Sequence, residues 1–152
     1  MTMPEQEQPR ELRSFHLSKD LRKIIDASKA VAKEYNSSFI EPPHIFLTLL
    51  RLQRDAEIRP IILGKYVRLE SIIASTESLI HREPNIADQT REPELSKRSR
   101  TVLIFAEAEA KNEGEDEIRT TDMVRGIIRE EKGPVATVLS MYYGTAPEPF
   151  YY

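Results

Sequence analysis

Apolar residues recur at steps of three and four from Leu21 to Tyr35: Leu21, Ile24, Ile25, Val31, Ala32 and Tyr35, with Ser28 in the same stripe. Arg22, Lys23, Lys29 and Lys33 fall outside it. That spacing predicts an amphipathic α-helix. Ser18 stands ahead of it as an N-cap, following Phe15 and Leu17, and Asn36-Ser37-Ser38 breaks it. Phe39-Ile40 is too short to predict a strand and reads as an apolar plug in the loop. Pro42-Pro43 opens a second helix, because proline is tolerated in a first helical turn. Ile45, Phe46, Leu49, Leu50 and Leu52 cover most of that helix's circumference, so it is expected to lie centrally. A short helix over 58–63 closes at Gly64, and Leu69, Ile72, Ile73, Thr76, Leu79 and Ile80 mark another ending near His81.

The chain then repeats itself. Moved by 78 positions, Leu17–Arg51 falls on Leu95–Arg129 without a gap, with nine identities in 35 pairs. Leu17-Ser18-Lys19 meets Leu95-Ser96-Lys97, Arg22 meets Arg100, Ile40 meets Ile118 and Arg51 meets Arg129. Apolar phase is kept between the identities, as in Ile24/Val102, Ile45/Met123 and Leu49/Ile127. A repeated unit of this size implies two similar packed units or a small array. In the second copy Ser96 caps a helix to about Asn112, with Val102, Leu103, Phe105, Ala106 and Ala110 inward, and Gly114 stops it. Thr120 or Thr121 is expected to cap the next helix, and Gly133-Pro134 opens a short one through Tyr142.

The predicted fold is therefore all-α, a pseudo-twofold tandem repeat of a four-helix unit with seven main helices and no sheet. The last helix of the second repeat is absent or replaced by an irregular tail. Residues 1–14 read as a flexible lead-in and 15–144 as the domain: repeat one 15–81, a linker 82–94 and repeat two 95–144. Residues 145–152 form a tail ending in Phe150, Tyr151 and Tyr152. Those aromatics either tag a partner or fold back onto apolar surface left by the missing helix; the second is favoured, because bare apolar patches are costly.

Composition narrows the functional classes. The 152 residues are 39% hydrophobic and 31% charged, with a net charge of −3 and no basic face, so nucleic acid is not an expected partner. There is no cysteine, hence no disulfide, thiolate metal site or cysteine nucleophile, and a cytoplasmic setting is expected. No apolar run approaches the ~20 residues that cross a bilayer, and a monomer is expected. His16, His44 and His81 form no ligand pair, and His44, at the start of a helix, reads as a structural or capping residue. The acidic run Glu107, Glu109, Glu113 and Glu115–Glu117 could suggest a metal-dependent hydrolase. A solvated helix end explains it better, since exposed carboxylates lack the fixed geometry of a site. No serine lies in G-x-S-x-G. No enzyme activity, cofactor or metal is expected.

The segment Phe39-Ile40-Glu41-Pro42-Pro43-His44-Ile45-Phe46-Leu47-Thr48-Leu49-Leu50 resembles the signature of Clp N-terminal domains, in particular those of the disaggregase branch of Clp unfoldases. Val135-Ala136-Thr137-Val138-Leu139 is similar to a second helix of that family, and the resemblance spans Phe15 to Gly144. It implies a non-catalytic module that holds unfolded or tagged substrates, or adaptor proteins, and passes them to a Clp ATPase or protease. No ATPase ring follows in this sequence, so the chain is expected to be either an excised or separately encoded domain or, as the alternative, a free-standing accessory subunit docking on the Clp machine. The resemblance also implies a peptide-binding groove at Ser18, Leu103, Phe105, Thr121 and Asp122. Family members that bind phosphoarginine carry a glutamate just before a histidine in each repeat. Pro43 and Thr121 stand there in this chain, and Asp122 replaces the second histidine, so phosphoarginine is not expected to bind.

The five glycines are scattered and no G-x-x-x-x-G-K-[ST] loop is present. The protein is expected to show no saturable ATP binding in calorimetry.

Overall fold

A computed structural model describes residues 11–52, 69–80, 92–130 and 135–138. Among them are five helices of ten residues or more: α1 (Lys19–Glu34), α2 (Pro42–Arg51), α3 (Leu69–Leu79), α4 (Lys97–Asn112) and α5 (Thr120–Glu130). Leu12–Ser14 add a 3-10 turn, and 135–138 are helical. The fold is mostly helical, as the periodicity predicts. The helix expected over 58–63, most of the linker and the tail lie outside the described residues.

The two copies share their local chemistry as well as their helices. Ser18 Oγ accepts the Leu21 N–H at 3.1 Å and Ser96 Oγ accepts the Ser99 N–H at 3.0 Å, so both first helices carry serine N-caps. Their ends match too. Asn36 (φ 57°) and Gly114 (φ 75°) occupy equivalent left-handed positions. Ser37 N–H then bonds Ala32 O, and Glu115 N–H bonds Ala110 O, both at 2.9 Å. Each first helix is thus closed by the same six-to-one hydrogen bond.

The expectation of no sheet is corrected. Phe39–Ile40 form β1 and Glu94–Leu95 form β2, paired in parallel with Ile40 opposite Leu95. The last residue assigned to the linker, Glu94, is therefore a strand residue. Its pseudo-symmetric counterpart is the bridge between Leu17 and Ile118. Ser96 N–H donates to Ile40 O at 3.1 Å, and Ser18 N–H donates to Ile118 O at 2.9 Å. The lead-in of each repeat is bonded by the loop of the other. Two residues show no alternation of their own; their strand conformation comes from a partner 55 positions away, Ile40 to Leu95.

One core joins both copies: Leu21, Ile25, Ile45 and Phe46 from the first pack with Val102, Leu103, Met123 and Val124 from the second. Repeat one adds a smaller cluster of Val31, Tyr35, Leu47 and Ile80. The repeat-two equivalents of its first three members are Glu109, Glu113 and Arg125. Glu113 pairs with both Arg119 and Arg125. This flank of repeat two is therefore charged where repeat one has an apolar cluster.

Gly126 lets α5 approach α4. A Cβ at this position would lie 2.7 Å from Val102 O and 3.1 Å from Ala106 N. Alanine would gain about 1 kcal/mol in helix propensity over glycine. The clash is with backbone, which cannot swing aside, and overpacking of this kind costs about 1–3 kcal/mol. Gly126→Ala is therefore expected to lower the urea unfolding midpoint despite the better helix former.

Candidate functional site

The second helix of each repeat starts with a side chain that reaches back to bind a backbone N–H. In repeat one His44 Nδ1 accepts the Glu41 N–H at 2.9 Å. In repeat two Asp122 Oδ2 accepts the Arg119 N–H at 2.9 Å. The histidine and aspartate are equivalent positions doing the same work. α5 begins at Thr120, so neither Thr120 nor Thr121 caps it as expected. The Thr120 hydroxyl instead donates to Asp20 Oδ2 of the other repeat at 2.8 Å.

His44 is 2% exposed and stacked on Tyr35, with ring centroids 6.1 Å apart. Burial lowers its pKa from 6.5 to about 4, and a hydrogen bond with the Phe39 backbone opposes part of that shift. Asp122 is fully buried and also receives Arg119 Nε at 3.0 Å and Nη2 at 3.2 Å. These bonds, Asp122 first, raise the Arg119 pKa.

The five residues proposed for the groove are placed very differently. Ser18 is buried as the α1 N-cap, Leu103 is fully buried in the shared core, and Asp122 is buried as the α5 cap. Thr121 and Phe105 are half-buried, and only these two present side-chain surface. Phe105 carries the Arg129 guanidinium over its ring at 5.2 Å from the centroid. Leu103 and Phe105 lie about 200° apart on α4, which is why one is core and the other is not.

Arg129 was not among the expected site residues, although its identity with Arg51 across the repeat was the signal that could have found it. Arg51 binds Glu34 through two bonds of 2.7 and 2.8 Å and Glu77 of α3 at 2.8 Å. Arg129 has only Glu109 at 3.8 Å among the described residues, and its side chain is 53% exposed. Four carboxylates of the acidic run face cations: Glu107 faces Lys111, Glu109 faces Arg129, and Glu113 and Glu115 face Arg119. The hydrogen bonds from Arg119 and then Arg125 hold the Glu113 carboxyl below the usual range. No group of three or more His, Asp or Glu among the described residues could hold a metal ion. None of the described helices is long and apolar enough to cross a membrane.

The family model for the Clp repeat N-terminal domain matches residues 16–142, most of the chain. The chain belongs to this family. Membership in the Clp repeat N-terminal domain family points to an adaptor or substrate-binding role on Clp-type machinery. A solved structure from a preliminary structural investigation of a malarial protein secretion system shares the fold. Its TM-score is 0.71 at 17% identity, over 84% of this chain and 85% of its own. No curated protein matches the sequence significantly.

His44 gives this Clp repeat domain a definite acid response. Its pKa is lowered on folding, so the unfolded chain binds the extra proton first as pH falls below 6.5. Stability from this group is complete above pH 6.5 and is lost as pH falls toward 4. A drop from 6.5 to about 4 corresponds to roughly 3 kcal/mol. The His44 ring is expected to titrate near pH 4 by NMR. His44→Gln, which can still accept the Glu41 N–H, should flatten the pH dependence of unfolding between those limits.

Proposed function

We propose that this domain captures unfolded or tagged protein segments, or adaptor proteins, for a Clp-type AAA+ unfoldase or protease. It does so in the cytoplasm, as a monomer, without nucleotide, metal or catalysis of its own. The Glu41-Pro42-Pro43-His44 start of α2 supports a place beside the disaggregase branch.

The observation that carries the binding role is Phe105. Repeat one has Ala27 at the equivalent position. Repeat two keeps an aromatic there, half-buried, with a cation laid on one side of its ring. A rigid aromatic offers much contact area for little lost conformational freedom, which suits capture of extended apolar segments. Thr121 is the second accessible member of the proposed groove. Ser18, Leu103 and Asp122 are buried and serve by capping α1, packing α4 and starting α5.

Truncating a fully packed Phe costs about 3–5 kcal/mol, whereas losing an exposed cation–π contact costs only about 0.5–1 kcal/mol. Phe105→Ala is therefore expected to melt within a few degrees of the parent protein while capturing a permanently unfolded, carboxymethylated model protein at least several-fold more weakly. Collapse of the melting temperature would make Phe105 a core residue and remove the groove. Unchanged melting with unchanged capture would instead favour an accessory subunit that docks on the Clp machine.

A further inference from the structure

Both repeats carry an arginine near the end of the second helix, Arg51 and Arg129, and the two are engaged very differently. In repeat one Arg51 binds Glu34 through two hydrogen bonds and Glu77 through a third, all 2.7–2.8 Å long. Repeat two keeps the arginine and removes the carboxylate: the equivalent of Glu34 is Asn112. The other arginines on this flank are held. Arg98 is bonded to Glu130, Arg119 to Asp122 and Arg125 to Glu113. Arg129 has no carboxylate within hydrogen-bond distance among the described residues, since Glu109 stands at 3.8 Å.

What Arg129 has instead is a ring. Phe105 replaces Ala27 of repeat one, and the guanidinium lies over it at 5.2 Å from the centroid. A cation–π contact steadies the charge and leaves the N–H fork without a carboxylate. Repeat one shows what such an arginine accepts from outside its own helix pair. Glu77 reaches Arg51 from α3, and Ile73, one helical turn earlier, packs against both apolar clusters. A carboxylate and an apolar side chain delivered together are the combination already used at this position.

We propose that Arg129 is a specificity-determining residue of the capture face, selecting apolar segments that carry an acidic side chain beside the residue meeting Phe105. The selection rests on Phe105 being a capture residue. The carboxylate takes the fork of Arg129 in a charge-assisted pair, while its apolar neighbour lies against the ring. This preference runs against the domain's net charge of −3, which as a general field would favour basic segments.

The test uses the full chain and labelled, end-blocked peptides that share the core Leu-Phe-Xaa-Leu, Xaa being glutamate, glutamine or lysine. Anisotropy is expected to show the glutamate peptide binding about three- to tenfold more tightly than the glutamine one, with lysine weakest. Added salt should shrink that advantage. Arg129→Gln should melt within a few degrees of the parent and bind the glutamate and glutamine peptides alike. Arg129→Lys, which keeps the charge without the fork, should retain only part of the preference. Equal binding of those two peptides by the parent protein overturns the proposal without recourse to any variant. A preference that survives Arg129→Gln also overturns it, by assigning the carboxylate to another cation. If a glutamine peptide with a free C-terminus binds more tightly than the blocked glutamate peptide, the choice of an acidic side chain is overturned. Phe105→Ala keeps the two readings apart, because it should weaken all the peptides. Unchanged binding there removes the capture role itself, whereas uniform weakening with no glutamate preference in the parent removes only the selectivity.

Discussion

The structure depends on a crossed pair of backbone contacts. Leu17 and Ser18 are tied to Ile118, and Leu95 and Ser96 are tied to Ile40. Each contact fixes the entry to one first helix by the loop that leads to the other repeat's second helix. The Ile40 carbonyl also accepts Ser99 Oγ at 2.7 Å, which binds α4 to the same point. These bonds are few, but they are placed where all four principal helices begin or turn. With the entries fixed, the apolar faces of both copies can meet only in one shared core.

Within that frame the copies have exchanged chemistry without exchanging geometry. A buried neutral imidazole and a buried carboxylate close equivalent helix starts, because each needs only to accept one N–H. The carboxylate brings its own cation, Arg119, at the position where repeat one has Glu41. An apolar mini-core in repeat one becomes an arginine–glutamate network in repeat two. Ala27 becomes Phe105, and α1's polar surface becomes an aromatic one on α4. Duplication supplied the scaffold, and the differences between the copies supply the candidate binding face.

Much of this was legible in the residue pattern. The period of three and four marked α1, α2, α3, α4 and α5, and Ser18 and Ser96 marked the starts of α1 and α4, because these signals act within one turn of helix. The strands were not legible, since Phe39–Ile40 take their conformation from residues far along the chain. The roles of Leu103 and Asp122 were hidden for a related reason. Spacing shows that Leu103 and Phe105 face apart, but not which face meets the core. An aspartate at a helix start reads equally as a ligand contact or as a cap, until its burial and its bond to Arg119 decide it.

The crossing also explains a property of the gene product as a string. From Leu17 to Ile40, and from Leu95 to Ile118, the chain must span the same 23 steps, because each end is pinned by the opposite copy. One residue added or lost inside either stretch would slip a strand, turn a helix face by about 100°, and do so in both halves at once. Substitution is tolerated across the two copies wherever a cap, a core volume or a charge can be exchanged. The equal spacing of the pins accompanies the gapless alignment of two copies that agree at only nine of 35 positions.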